Sequence, residues 1–166
     1  MCSQSKCFWT GEGANCALLG ARSMKRGFLT IHSCPLALKS HVEWAIESTL
    51  GPLQVNWRNQ PLAAGTQRTQ IEWRSDENLA SVLASALKGW HYLRFEITFD
   101  SDFFRFTPEL GLHRATIDQL GSILLTENQI KSALSKTDEV IRQSLDVALG
   151  TEWEIALEHF RGVDYR

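Results

Sequence analysis

The stretch IHSCPLALKSHVEW, residues 31–44, holds two histidines, a cysteine, a serine and a glutamate. Three chemistries could use them. A zinc site would take His32, Cys34 and His41, with His91 or His113 brought from distant strands as a further ligand. It lacks the paired spacing (CxxC, or histidines at i and i+4) that marks such sites, so no metal centre is predicted. A thiol nucleophile would be Cys34, in a loop leading towards a helix N-terminus that could lower its pKa. It would also need a histidine and an orienting group in space, and a lone cysteine is more often an inert core residue. A base or proton carrier would be His41, at the first helical position, where the helix dipole disfavours imidazolium. That position suits a base, but it equally suits a histidine with no task. Glu43 follows Ser40 by three residues, a capping-box spacing that would occupy the carboxylate. The stretch therefore reads first as a strand passing to a helix, and no catalytic residue is assigned.

Elements on either side must position these residues. FLTIHS reads as a buried strand, and Pro35 biases Cys34 away from helical geometry. The first helix is expected from Ser40, with Val42, Ala45, Ile46 and Leu50 on one face and a stop at Gly51-Pro52. LQVNW alternates, with Leu53, Val55 and Trp57 on the apolar side. Thr69, Ile71 and Trp73 do the same against Arg68, Gln70, Glu72 and Arg74. Asp76 can cap a second helix carrying Leu79, Val82, Leu83, Ala86 and Leu87, ended by Gly89. Leu93, Phe95, Ile97 and Phe99 then point inward from a strand whose other side carries Arg94 and Glu96.

This order is βαββαβ, and the predicted class is α+β. The expectation is a ferredoxin-like core, with an antiparallel sheet and two helices on one face, because right-handed crossovers place them together. FFRFTP, GLHRATI and SILL add strands, the first two joined through Pro108-Glu109, and helices close the chain. Thr126 with Gln129 and Thr151 with Glu154 have capping-box spacing, and Gly150 ends a helix.

The tryptophans at 44, 57, 73, 90 and 153 could suggest a cage, but Trp57 and Trp73 lie on apolar strand faces and are assigned to the core. The outward face is more informative. There Arg68, Glu72, Arg74, Arg94 and Glu96 share a side with Thr30 and His32, and such a face could hold an anionic ligand or a partner chain. The plainer account is a solvated salt-bridged face, or one covered by the C-terminal helices. The candidate binding residues are His32, Ser33, His41, Arg94 and Glu96. If the face is uncovered, His32 and Arg94 should reach one bound group from neighbouring strands.

Composition narrows the function classes. The chain has 166 residues and a formal net charge of −2, with no run of basic residues to suggest nucleic acid. Charges interrupt every apolar stretch before about 20 residues accumulate, so no membrane span is predicted. Three of the four cysteines fall in the first sixteen residues, with no signal-peptide pattern before them. Reduced thiols in the cytoplasm are the expectation. Residues 1–23 show no sustained period and are expected to be a disordered or dispensable extension, a functional arm being the sharper alternative. A single domain is expected over 24–166. No P-loop, GxGxxG, HExxH or GxSxG motif occurs, and no cofactor is predicted.

The blocks RGFLTIHSCPLALKSHVEWAIESTLG, VNWRNQP, LASALKGWHYLRFEIT, FTPELGLHRATIDQLG and ALGTEWEIALEHFR resemble an actinobacterial family, domain of unknown function 3145. The resemblance covers nearly everything from Met24 to Arg166. The family pattern begins near Met24 and often has alanine where Cys34 stands, which speaks against a nucleophilic role for this thiol. The resemblance carries no activity with it. Genomic association implies a partner in type II fatty-acid synthesis, such as an acyl carrier protein. The expected function is a non-catalytic binding or regulatory module. The alternative is a small enzyme acting on an acyl or other small molecule through His32 and His41.

Overall fold

The computed structural model describes residues 24–161, so the expected N-terminal extension and its three cysteines lie outside the described residues. Seven strands form one sheet: β1 (Lys25–Pro35), β2 (Arg58–Asn59), β3 (Thr66–Ser75), β4 (Arg94–Phe99), β5 (Asp102–Thr107), β6 (Gly111–Ile117) and β7 (Ile123–Leu124). Their order is β2-β3-β1-β4-β5-β6-β7, and every pair is antiparallel. The helices are α1 (Lys39–Leu50), α2 (Ala80–Leu87), α3 (Glu127–Leu134), α4 (Asp138–Leu149) and α5 (Thr151–Arg161). The class is α+β as predicted. The first four strands, with β1 and β3 central and β4 beside β1, are compatible with a ferredoxin-like core.

Alternation decides the faces. Leu29 and Ile31, Ile71 and Trp73, Phe95 and Ile97, and Phe104 and Phe106 form one apolar surface, packed with Val42 and Ile46 of α1 and Leu83 and Leu87 of α2. Gly27 sits opposite Trp73 in the ladder, where any Cβ would overlap the indole. The tryptophan needs that gap to lie flat in the core.

Several local expectations are corrected. The second predicted strand is a two-residue ladder at Arg58–Asn59, although Leu53, Val55 and Trp57 keep the alternation and pack half-buried on the core. An edge segment with one neighbour can be held by side-chain packing without a long ladder. Helix α1 begins at Lys39 with no side-chain cap, so Ser40 and Glu43 form no capping box. Glu43 instead accepts a hydrogen bond from Trp57 Nε1 at 2.7 Å. Asn78, rather than Asp76, presents its side-chain oxygen to the Ala80 N–H of α2. The buried stripe of α2 is Ala80, Leu83, Ala84 and Leu87, leaving Val82 exposed. The Thr126–Gln129 capping box and the left-handed Gly150 terminus form as expected. Glu154, by contrast, turns away from Thr151 to pair with arginines.

Candidate functional site

Of the two accounts of the outward face, cover by the C-terminal helices holds in part: α5 crosses part of it, with contacts to β5 and β1. A chain of charged groups holds the helix there. Arg105, on β5, is fully buried in a strand of aromatics. Its Nη1 donates to Glu154 at 2.6 Å, its Nη2 donates to the Leu149 carbonyl at 2.8 Å, and its guanidinium lies over Phe103. Arg161, near the end of α5, pairs with both Glu154 and Glu96. Glu96 in turn meets His32 Nε2 at 2.8 Å. Burial pushes the Glu96 carboxyl up, but hydrogen bonds from His32 and Arg161 outweigh it and hold the pKa at about 2. The carboxylate is therefore ionised, and His32 Nε2 carries the donated proton.

His113 stands beside Arg105 across the ladder and under the α4–α5 junction. Burial and the neighbouring guanidinium keep it below its ordinary pKa, favouring a neutral ring. In that state Nε2 donates to the Ala148 carbonyl at 3.3 Å. Gly150 lies so close to Arg105 and His113 that a Cβ would overlap both, and its φ of 65° is left-handed besides.

His32 owes its position to an irregularity. Ile31 pairs with Phe95 and Ser33 with Arg94, so His32 is an extra residue in β1, a β-bulge. Its carbonyl, displaced from the ladder, accepts from the Gln60 side-chain amide at 2.6 Å. Gln60 is itself buried and anchors the β2–β3 connection to the bulge. On the β3 side Ile31 pairs with Thr69 and Cys34 with Gln67, so Arg68 occupies the single β3 position facing the bulge. Arg68 is in turn paired with Arg58 of β2.

A cleft of about 210 Å³ opens over this row, lined by Thr30, His32, Asn56, Arg58, Arg68 and Gln70 among others. Among the described residues that line it, none is a carboxylate or a thiol. His32 is nearly buried, and its Nδ1 has no hydrogen-bond partner among the described residues. The cleft can therefore bind and orient a small polar group, with the His32 ring held in place by Glu96.

The predicted site residues separate. The fold brings His32 and Glu96 together. Ser33 is buried within the bulge. Arg94 bonds Glu109 at 2.5 Å and lies over the Phe160 ring, lining a different groove with Ile155 and Leu110. The expectation that it shares a bound group with His32 is thus corrected, since α5 residues take up its free side. His41 is exposed on α1 and stacks on Trp90, on the helix-covered side of the sheet. Cys34 is wholly buried, and burial followed by the nearby Glu43 pushes its thiol up to about 11, the reverse of an activated nucleophile. Trp57 and Trp73 are core residues, as read.

Sequence reasoning missed Arg58, Gln60 and the Arg105–Glu154–Arg161 series. Arg105 had a signal: it is the one charged residue within FFRFT, a position where a core charge needs dedicated partners. Among the described residues no three His, Cys, Asp or Glu side chains converge as a metal site, and no helix is long and apolar enough to cross a membrane.

Comparison with curated proteins and with solved structures gives no match. Residues 28–165, most of the chain, match the family described as "Protein of unknown function (DUF3145)", and the chain belongs to that family.

Proposed function

We propose that this chain is a non-catalytic binding or regulatory module whose ligand site is the cleft over β2, β3 and β1. The observation that carries the reading is the lining itself. It combines a positioned His32 with polar side chains and two arginines, and among the described residues it presents no thiol and no carboxylate. Nucleophilic catalysis needs a nucleophile next to a base, and no thiol or carboxylate among the described lining residues accompanies His32. The expected setting is the cytoplasm. The context implied by the resemblance makes acyl-CoAs and acyl carrier protein the first probes.

One observation favours a second reading. A histidine fixed by a carboxylate and lining a cleft is also the arrangement of a general base, so an enzyme using His32 on an acyl or other small molecule is the alternative. His41 has no part in it, being on the other side of the sheet. A thermal-shift screen of acyl-CoAs and acyl carrier protein, followed by turnover assays on each hit, separates the two. Binding that His32→Asn weakens, without turnover, supports the module. Turnover lost in His32→Asn establishes the enzyme instead. Hits unaffected by any change in the cleft would remove both.

A further inference from the structure

We infer that the helix layer of α1 and α2 is a self-association face, on which a second copy of this chain packs antiparallel about a two-fold axis.

The solvent side of a surface helix normally carries charged residues. Helix α2 carries none along its length. Ala80, Leu83, Ala84 and Leu87 face the core, and Ser81, Val82, Ser85 and Ala86 make up the exposed side. On α1 the exposed side holds Trp44, which is 69% accessible, although tryptophan is among the most buried side chains on average. Neither Trp44 nor the exposed Val82 belongs to the core. An aromatic ring beside an uncharged helix face is the composition of an interface centre, where aromatics are enriched and charges depleted.

Charge decides which partner fits. The two helices follow antiparallel strands, and His41 stacks on Trp90, so the start of α1 lies beside the end of α2. Lys39 and His41 of α1 therefore gather with Lys88 and His91 at one end of the layer. At the other end stand Glu47 of α1 and Glu77, just before α2, both exposed. One end is basic and the other acidic. A two-fold axis lying in the face and across the helices reverses the second copy end for end. It sets Lys88 against Glu77 of the copy and Lys39 towards Glu47 of the copy, and each contact occurs twice. Trp44, midway along α1, meets its counterpart near the axis, and the α2 faces meet without a like-charge pair. A partner of one charge sign would match one end and be repelled at the other.

Two helices about 10 Å across and up to about 18 Å long, with the exposed Trp44 ring standing out from them, offer roughly 600 Å² per copy. That is the low end for a specific interface, so a reversible dimer is expected. The cleft lined by Thr30 and His32 opens on the other side of the sheet, so both copies of it stay accessible, facing away from each other.

Sedimentation equilibrium of the full chain across the micromolar range should fit a monomer–dimer equilibrium. Trp44→Glu should weaken association about thirty-fold or more, as loss of an interface tryptophan does, with circular dichroism unchanged. Ile155→Glu, at an equally exposed apolar position on α5, should leave it unaltered. Glu77→Lys and Lys88→Glu should each weaken it, and the double exchange should restore it, because opposite charges again face each other across the axis. A chain that stays monomeric overturns the inference. So does a dimer that survives Trp44→Glu, since it forms through another surface, or a double exchange no better than the single ones. A monomer whose nuclear Overhauser contacts link Trp44 to residues 1–23 identifies that segment as the occupant, and overturns the inference equally.

Discussion

The two faces of the sheet are covered by opposite means. Against α1 and α2 the cover is apolar throughout: Leu29, Ile31, Phe95 and Ile97 meet Ile46, Leu83 and Leu87, all without a charge. Against α5 the cover is ionic, running Arg105–Glu154–Arg161–Glu96–His32, with Leu157 as its fully buried apolar member. Apolar burial is non-directional and tolerates exchange of similar shapes. Buried ion pairs gain little net stability, because desolvation offsets attraction, but they admit one geometry. The first face therefore holds the fold together. The second sets the place of α5, and through Glu96 the tautomer and position of His32 at the edge of the cleft.

The comparison can be broken most severely from the apolar side. Phe95 is fully buried and stacked on Phe106, so Phe95→Ala should destabilise the chain by about 4 kcal/mol in urea unfolding. A loss below about 1 kcal/mol would show that the core collapses around the gap.

The ionic face should respond differently to truncation and to replacement. Arg105→Ala takes from Glu154 one of its two arginine partners and from the Leu149 carbonyl its side-chain donor, and should cost about 3 kcal/mol. Arg105→Met keeps the volume and is expected to recover a good part of that loss, as apolar replacement of buried ion pairs does. Equal costs for the two would mean that the charge itself stabilises the fold.

Acid should loosen the ionic face before the apolar one. Glu96 has a folded-state pKa of about 2 against an ordinary 4.5, so the native state holds the carboxylate ionised where the unfolded chain begins to protonate it. Its contribution is complete above about pH 4.5 and is lost as the pH falls through about 2. Wild type should exceed Glu96→Gln by roughly 2 kcal/mol near neutrality, with the gap closing between those limits. A pH-independent difference in urea midpoints would place the effect in packing and not in charge.

The smallest effect belongs at the rim of the cleft. Arg58→Gln removes an exposed cation opposed to Arg68 and should change stability by less than about 0.5 kcal/mol, in the stabilising direction if anything. A clear loss of stability in thermal unfolding would make Arg58 a structural partner.

Much of the sheet was legible from period-two alternation, because which side chain faces a core is a local property of a strand. Leu29, Ile71, Trp73, Phe95 and Ile97 all face inward where alternation puts them. The candidate site was legible only in part. His32 and Glu96 were placed on one face, and they touch. Arg94 was placed there too, but a position on a face does not say which helix end will lie across it. Glu154 and Arg161 read in sequence like the solvated side of an amphipathic helix, since a charge directed to water and one directed to a buried arginine follow the same spacing.

The sequence by itself determined the order of the elements, the inward and outward sides of β1, β3 and β4, and the helix end at Gly150. Each follows from neighbours a few residues apart, through alternation, capping and left-handed backbone. Only the tertiary structure decided which part of the outward face α5 covers, that β1 bulges at His32, and that Arg58 meets Arg68 beside it. Those depend on register and on pairing between charges far apart in the chain, Glu96 with Arg161 above all, and local pattern carries no information about which distant partner satisfies a buried charge.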